Sequence, residues 1–187
     1  INPNDFWLEN KNKNISEYHN FLWLNLIDRK VDGKSIQKII YLWMLKFSNF
    51  KKKIWETSTL SLRVISWMLN LDIIINNGTF DFKKNLFQTI ISQCNHLKKN
   101  IMFEKDPCKK IEILTALALS GIIFREYKEN YNIAIKELEK FVGSNFDKDG
   151  FPLSRNPNDL VFFTQYILLC HENIKDAQEY MPEFLDE

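Results

Sequence analysis

A chain of 187 residues with 45% hydrophobic and 14% aromatic side chains is long and apolar enough for one domain with a sizeable core. Five glycines and five prolines are too few for the many tight turns of a β-sandwich or barrel. Lys and Arg number 25 against 24 Asp and Glu, so no global field recruits nucleic acid or an anionic membrane.

A polyanionic ligand would therefore need a local cluster of basic groups. No apolar run approaches the roughly 20 residues of a membrane span. The longest, residues 111–124, is interrupted by Glu112, Thr115 and Ser120. Cys94, Cys108 and Cys170 lack metal-ligand spacing and read as small apolar residues, so neither a metal nor a cofactor is expected. The chain begins Ile-Asn-Pro-Asn, without initiator Met or signal peptide, which suggests a piece of a longer protein and leaves the compartment open.

In chain order, residues 1–15 read as a polar lead-in loop with scattered Phe6 and Trp7. A first helix is predicted over about 16–29, broken by Val31-Asp32-Gly33. The second, about 35–50, is amphipathic: Ile36, Ile39, Ile40, Trp43 and Phe47 recur at helical spacing, with Lys34 and Lys38 off the stripe. The run Lys51-Lys52-Lys53 reads as a solvated loop. The third helix, about 58–76, is apolar nearly all round. Its polar residues Thr59, Arg63, Ser66 and Asn70 form one narrow line.

A one-sided fourth helix over about 82–100 follows, then an all-apolar fifth from Asp106-Pro107 to about 124 and a one-sided sixth over about 130–142. The stretch GFPLSRNPNDLVFFTQYILL, residues 150–169, is a polar turn feeding a seventh, apolar helix over about 157–171, before a polar surface tail. Helices two, four and six carry a solvent face, whereas three, five and seven must be surrounded by protein. The alternation predicts an all-α fold of antiparallel hairpins with inner apolar and outer amphipathic helices, in an incomplete or complete (α/α) toroid. Ordinary irregular helical packing is the competing arrangement.

Arg63 is the most telling charge, because a guanidinium on an apolar helix is costly unless paired or wetted. It either faces an anion in a lumen or holds helix-end carbonyls or a carboxylate such as Glu56 or Glu112. Asn156, Pro157 and Asp159 fit helix-start chemistry, while Arg155 is not needed for capping and is a candidate anion contact together with Asn156. His19, His96 and His171 lie on separate helices, His96 near a solvated end. Trp23, Trp43, Trp55 and Trp67 form either a sugar-stacking platform or core.

FLWLNLIDR (21–29), WETSTLSLRVISW (55–67) and DGFPLSRNPNDL (149–160) together resemble the heparinase II/III-like proteins. The middle segment is similar to that family's S-x-R-x-x-x-W helix, the last to its D-G-x-x-x-x-R-x-P turn. The resemblance implies an (α/α) toroid, usually followed by a β-sandwich domain, in polysaccharide lyases that cleave uronate-containing chains by β-elimination. Such a lyase needs a donor, often Asn, to neutralise the uronate, and a Tyr or His as base and acid. The chain departs from the pattern there. Cys108 and Lys109 stand where the family tends to carry Asn-His, and Asp159 stands in place of a Tyr. The resemblance thus implies an acidic polysaccharide or oligosaccharide as partner, contacted by Arg63, Arg155 and Asn156, without naming catalytic residues. A non-catalytic glycan- or protein-binding scaffold is the alternative.

Overall fold

Asp106 and Asn156 start two long helices by the same chemistry. Asp106 accepts from the N–H of Cys108 at 2.9 Å and Asn156 from that of Asn158 at 3.0 Å. A proline occupies the first helical position in each, where no N–H is needed. The computed structural model describes residues 6–7, 15–28, 33–49 and 53–186. The expected breaks at Val31 and Asp32, and Lys51 and Lys52 of the basic run, lie outside them; Lys53 is exposed in a turn.

Among the described residues the protein is all-helical. The elements are α1 (Ile15–His19), a 3-10 segment (Leu22–Leu26), α2 (Gly33–Phe47), α3 (Thr57–Leu69), α4 (Leu71–Ile75), α5 (Phe80–Asn100), α6 (Pro107–Ile123), a 3-10 turn (Arg125–Tyr127), α7 (Lys128–Asn145), α8 (Pro157–Asp176) and α9 (Glu183–Asp186). The only extended pairing among them is an isolated bridge between Phe146 and Pro152. The chain divides into two compact units, residues 1–96 and 97–187.

In the first unit α3 is the centre, buried from Thr59 to Met68 except at Leu62. Around it Phe21, Trp43 and Trp67 meet edge to face, with centroids 5.0–5.8 Å apart. Phe6 and Trp7, expected in a polar lead-in, are buried in a helical turn. The Trp7 indole donates to the Ile39 carbonyl at 2.9 Å. The predicted first helix is instead two pieces. Phe21 between them adopts φ 59°, a left-handed conformation costing a residue with a side chain about 1–2 kcal/mol. The predicted third helix also breaks, at Asn70, into α3 and α4.

In the second unit α6 is the centre, and every residue from Ile111 to Gly121 is buried. A Cβ on Gly121 would lie 2.4 Å from the Tyr131 nitrogen, so glycine lets α7 approach the α6 backbone. α8 runs to Asp176, past the predicted end, and α9 then buries Leu185 where a surface tail was expected. α8 differs from α6 in burying only Phe163, Tyr166, Cys170 and Ile174, one stripe at helical spacing. Val161 and Leu168 are exposed, so the expectation that this apolar helix is enclosed on all sides fails within its own unit.

Candidate functional site

The predicted contacts fall in both units. Arg63 belongs to the first, Arg155 and Asn156 to the second.

Arg63 is wholly buried. Its Nε donates to Gln93 Oε1 at 2.8 Å, and its Nη1 donates to the carbonyls of His19 at 2.8 Å and Ile54 at 3.2 Å. The guanidinium carbon lies 4.5 Å from the Trp43 ring centroid. Neither Glu56 nor Glu112 is among these partners. Glu56 instead caps α3 by accepting from the Thr59 N–H at 3.1 Å. Burial lowers the Arg63 pKa to about 9, which still leaves it charged at neutral pH.

The other members of the polar line complete a pattern. Ser66 donates to the Phe21 carbonyl at 2.6 Å, and Asn70 donates to Asn25 Oδ1 at 2.7 Å. One face of α3 therefore holds the irregular segment 19–25 by its backbone and Asn25, offsetting the strain at Phe21. His19 is fixed in the same place. Its Nδ1 accepts from the Trp43 indole at 2.8 Å and its ring stacks on Trp7 at 5.3 Å. Trp43, Trp55 and Trp67 are buried core. His96, expected to be solvated, is half-buried with its edge against Trp55.

The second constellation is open to solvent. Asp147 organises the turn after α7: its Oδ1 accepts from the N–H groups of Phe151 at 2.9 Å and Asp149 at 3.0 Å. Its Oδ2 pairs with Arg155 Nη1 at 2.7 Å. The Phe151 N–H foremost, then that of Asp149 and the Arg155 charge, hold the Asp147 carboxyl below its usual range against the opposing effect of desolvation. Gly150 at φ 78° closes the turn, and Arg155 itself stands at φ 55°. Arg155 is two-thirds exposed.

Asn156 is committed on both sides of its amide. Its oxygen caps α8, and its Nδ2 donates to Asp159 Oδ1 at 3.0 Å. Asp159 also accepts from the Ser154 hydroxyl at 2.6 Å. It thus spends both oxygens on the turn, at the position where the resemblance puts a Tyr. Beside this polar frame Phe151, Pro152, Arg155, Asn156, Pro157 and Leu160 line a cleft of about 210 Å³. Phe151 is 53% exposed. Sequence reading did not single out Phe151 or Asp147, although the Asp-x-Asp-Gly turn was a usable signal for Asp147.

Below the turn Tyr166 donates to Glu112 Oε1 at 3.3 Å. Burial first, then the Glu112 charge and this hydrogen bond, push the phenol far above its ordinary range. Partial burial and then Asp106, Asp159 and Glu112 raise the Cys108 thiol. These groups hold protons tightly and are poor bases near neutrality. No group of His, Cys, Asp and Glu that could hold a metal occurs among the described residues. No helix there is long and apolar enough to cross a membrane.

Comparison with protein-family models, curated proteins and solved structures finds no match. The likeness to heparinase II/III-like proteins thus rests on the three short motifs alone.

Proposed function

We propose that this chain is the helical part of a protein that binds acidic, uronate- or sulfate-bearing polysaccharide without cleaving it, through the turn at 147–160. The observation that carries this reading is an exposed guanidinium beside an exposed aromatic ring. Arg155 is fixed by Asp147 at 2.7 Å, and the half-exposed Phe151 lines the same cleft over Pro152, Pro157 and Leu160. A sugar ring rests on such an apolar face while its carboxylate or sulfate takes charged N–H donors. Arg63 serves the fold in this reading, since solvent does not reach it.

The non-catalytic form is favoured over a β-eliminating lyase because the nearby phenol, Tyr166, retains its proton and Asp159 is bound into the turn. An (α/α) toroid and a companion β-sandwich domain belong to the same proposal. The enclosed α3 and α6, each followed in the chain by helices with a solvent face, support the toroid.

The test is calorimetric titration with polygalacturonate, alginate and heparin oligosaccharides, alongside absorbance at the unsaturated-uronate band. Arg155→Ala and Phe151→Ala should each weaken binding about tenfold or more, with no absorbance rise. Wild-type protein that binds none of these polyanions, or an Arg155→Ala protein that binds them unchanged, would overturn the proposal. A steady absorbance rise would restore the lyase.

A further inference from the structure

The largest cavity described lies in the first unit and has no part in the acidic-glycan reading. It measures about 670 Å³, a size suited to a small organic molecule, and the α1, 3-10 and α2 elements build it. Phe6, Tyr18 and Trp23 contribute aromatic surface. Phe6 packs 5.1 Å from Trp23 and 6.2 Å from Tyr18 by centroid, the latter pair edge to face. The Trp23 indole donates to the Tyr18 carbonyl at 3.3 Å, which fixes the orientation of the ring. Leu26, Ile27, Ile36 and Ile39 supply the aliphatic wall. The charged residues among those lining the cavity, Glu17 and Asp28, are both acidic.

We infer that this cavity is a binding site for a small organic cation, an ammonium group carried on an apolar body. Three rings at one mouth offer the negative π faces that attract a cation, Trp most strongly. Two carboxylates at the same opening add charge of the complementary sign and disfavour an anion. The aliphatic wall covers the body of the ligand, where burial is worth roughly 0.8 kcal/mol per CH₂. A chain whose global charge is nearly neutral, +1 at pH 7, would thus carry an acidic aromatic site in one unit and a basic one in the other.

The experiment uses the whole chain and three probes of equal chain length: hexyltrimethylammonium, 1-hexanol and hexanoate. Titration is followed by calorimetry and by the indole N–H resonance of Trp23. The cation should bind saturably and about tenfold or more tighter than the alcohol, with hexanoate weakest. Trp23→Leu should cost about tenfold in cation affinity and Trp23→Phe clearly less. Glu17→Gln with Asp28→Asn should cost about threefold and flatten the salt dependence. Circular dichroism and unchanged polyuronate binding check that each variant folds, and they separate failure here from failure of the Arg155 reading. Equal affinity for all three probes, the result for a general apolar surface that receives a protein partner, would overturn the inference. So would an absence of saturable binding, or cation affinity unmoved by Trp23→Leu.

Discussion

Arg63 and Arg155 stand in motifs of the same supposed origin, yet their surroundings are opposite. Arg63 has no exposed surface, three oxygen acceptors and an aromatic face. Arg155 is mostly in water with one carboxylate partner, Asp147. The first is held where desolvation makes every lost hydrogen bond expensive, so its worth is structural. The second sits where solvent screens its ion pair to at most about 1 kcal/mol, so the fold can spare it and a ligand can use it. Burial, more than the identity of the side chain, separates a residue that builds from one that binds.

The contrast breaks most visibly at Arg63. Arg63→Ala should destabilise the first unit by about 3–5 kcal/mol in urea unfolding, because three buried acceptors lose their donor and a cavity opens. A loss under about 1 kcal/mol would mean the network is wet. Ser66→Ala comes next, leaving the strained Phe21 with one hydrogen bond fewer and costing about 1–2 kcal/mol. Arg155→Ala should shift stability by no more than about 1 kcal/mol either way, since the ion pair lost is exposed. A large loss there would turn Arg155 into a second structural arginine.

The smallest effect concerns pH. The folded Asp147 carboxyl titrates below its unfolded value near 4. Its contribution to stability is therefore present above about pH 4 and is lost as pH falls through the lower folded value. A carbon-detected titration of Asp147 should show this depressed midpoint, and Arg155→Ala should raise it only partly, because the Phe151 and Asp149 N–H groups remain.

Much of this arrangement was legible in the chain. The stripe Ile36, Ile39, Ile40, Trp43 marks α2, Asp106-Pro107 and Asn156-Pro157 mark two helix starts, and Thr59, Arg63, Ser66 and Asn70 share a face as their spacing requires. The partners of that face were not legible. They are largely main-chain carbonyls at His19, Phe21 and Ile54, and a carbonyl has no residue type. The break at Phe21 is hidden for the same reason, because a bulky residue at positive φ is tolerated only where tertiary hydrogen bonds hold it. The exposed side of α8 escaped a rule that equates apolar sequence with enclosure: Val161 and Leu168 face outward although no polar residue announces it. At the turn, Arg155 could be singled out because capping did not require it, whereas Phe151 could not, since a phenylalanine gives no sign of being left half in water.

Asp147 has a consequence for any anion that arrives. It already occupies the guanidinium of Arg155, tethered eight residues away in the same turn, and so acts as a resident ligand at high effective concentration. An incoming carboxylate must displace or share with a group of its own kind, and the displaced group keeps its two N–H donors and waits to return. Affinity for acidic sugars is thereby set as a difference between two anions competing for one cation. Occupancy of the turn should therefore rise as acid protonates Asp147 while a sulfated chain keeps its charge.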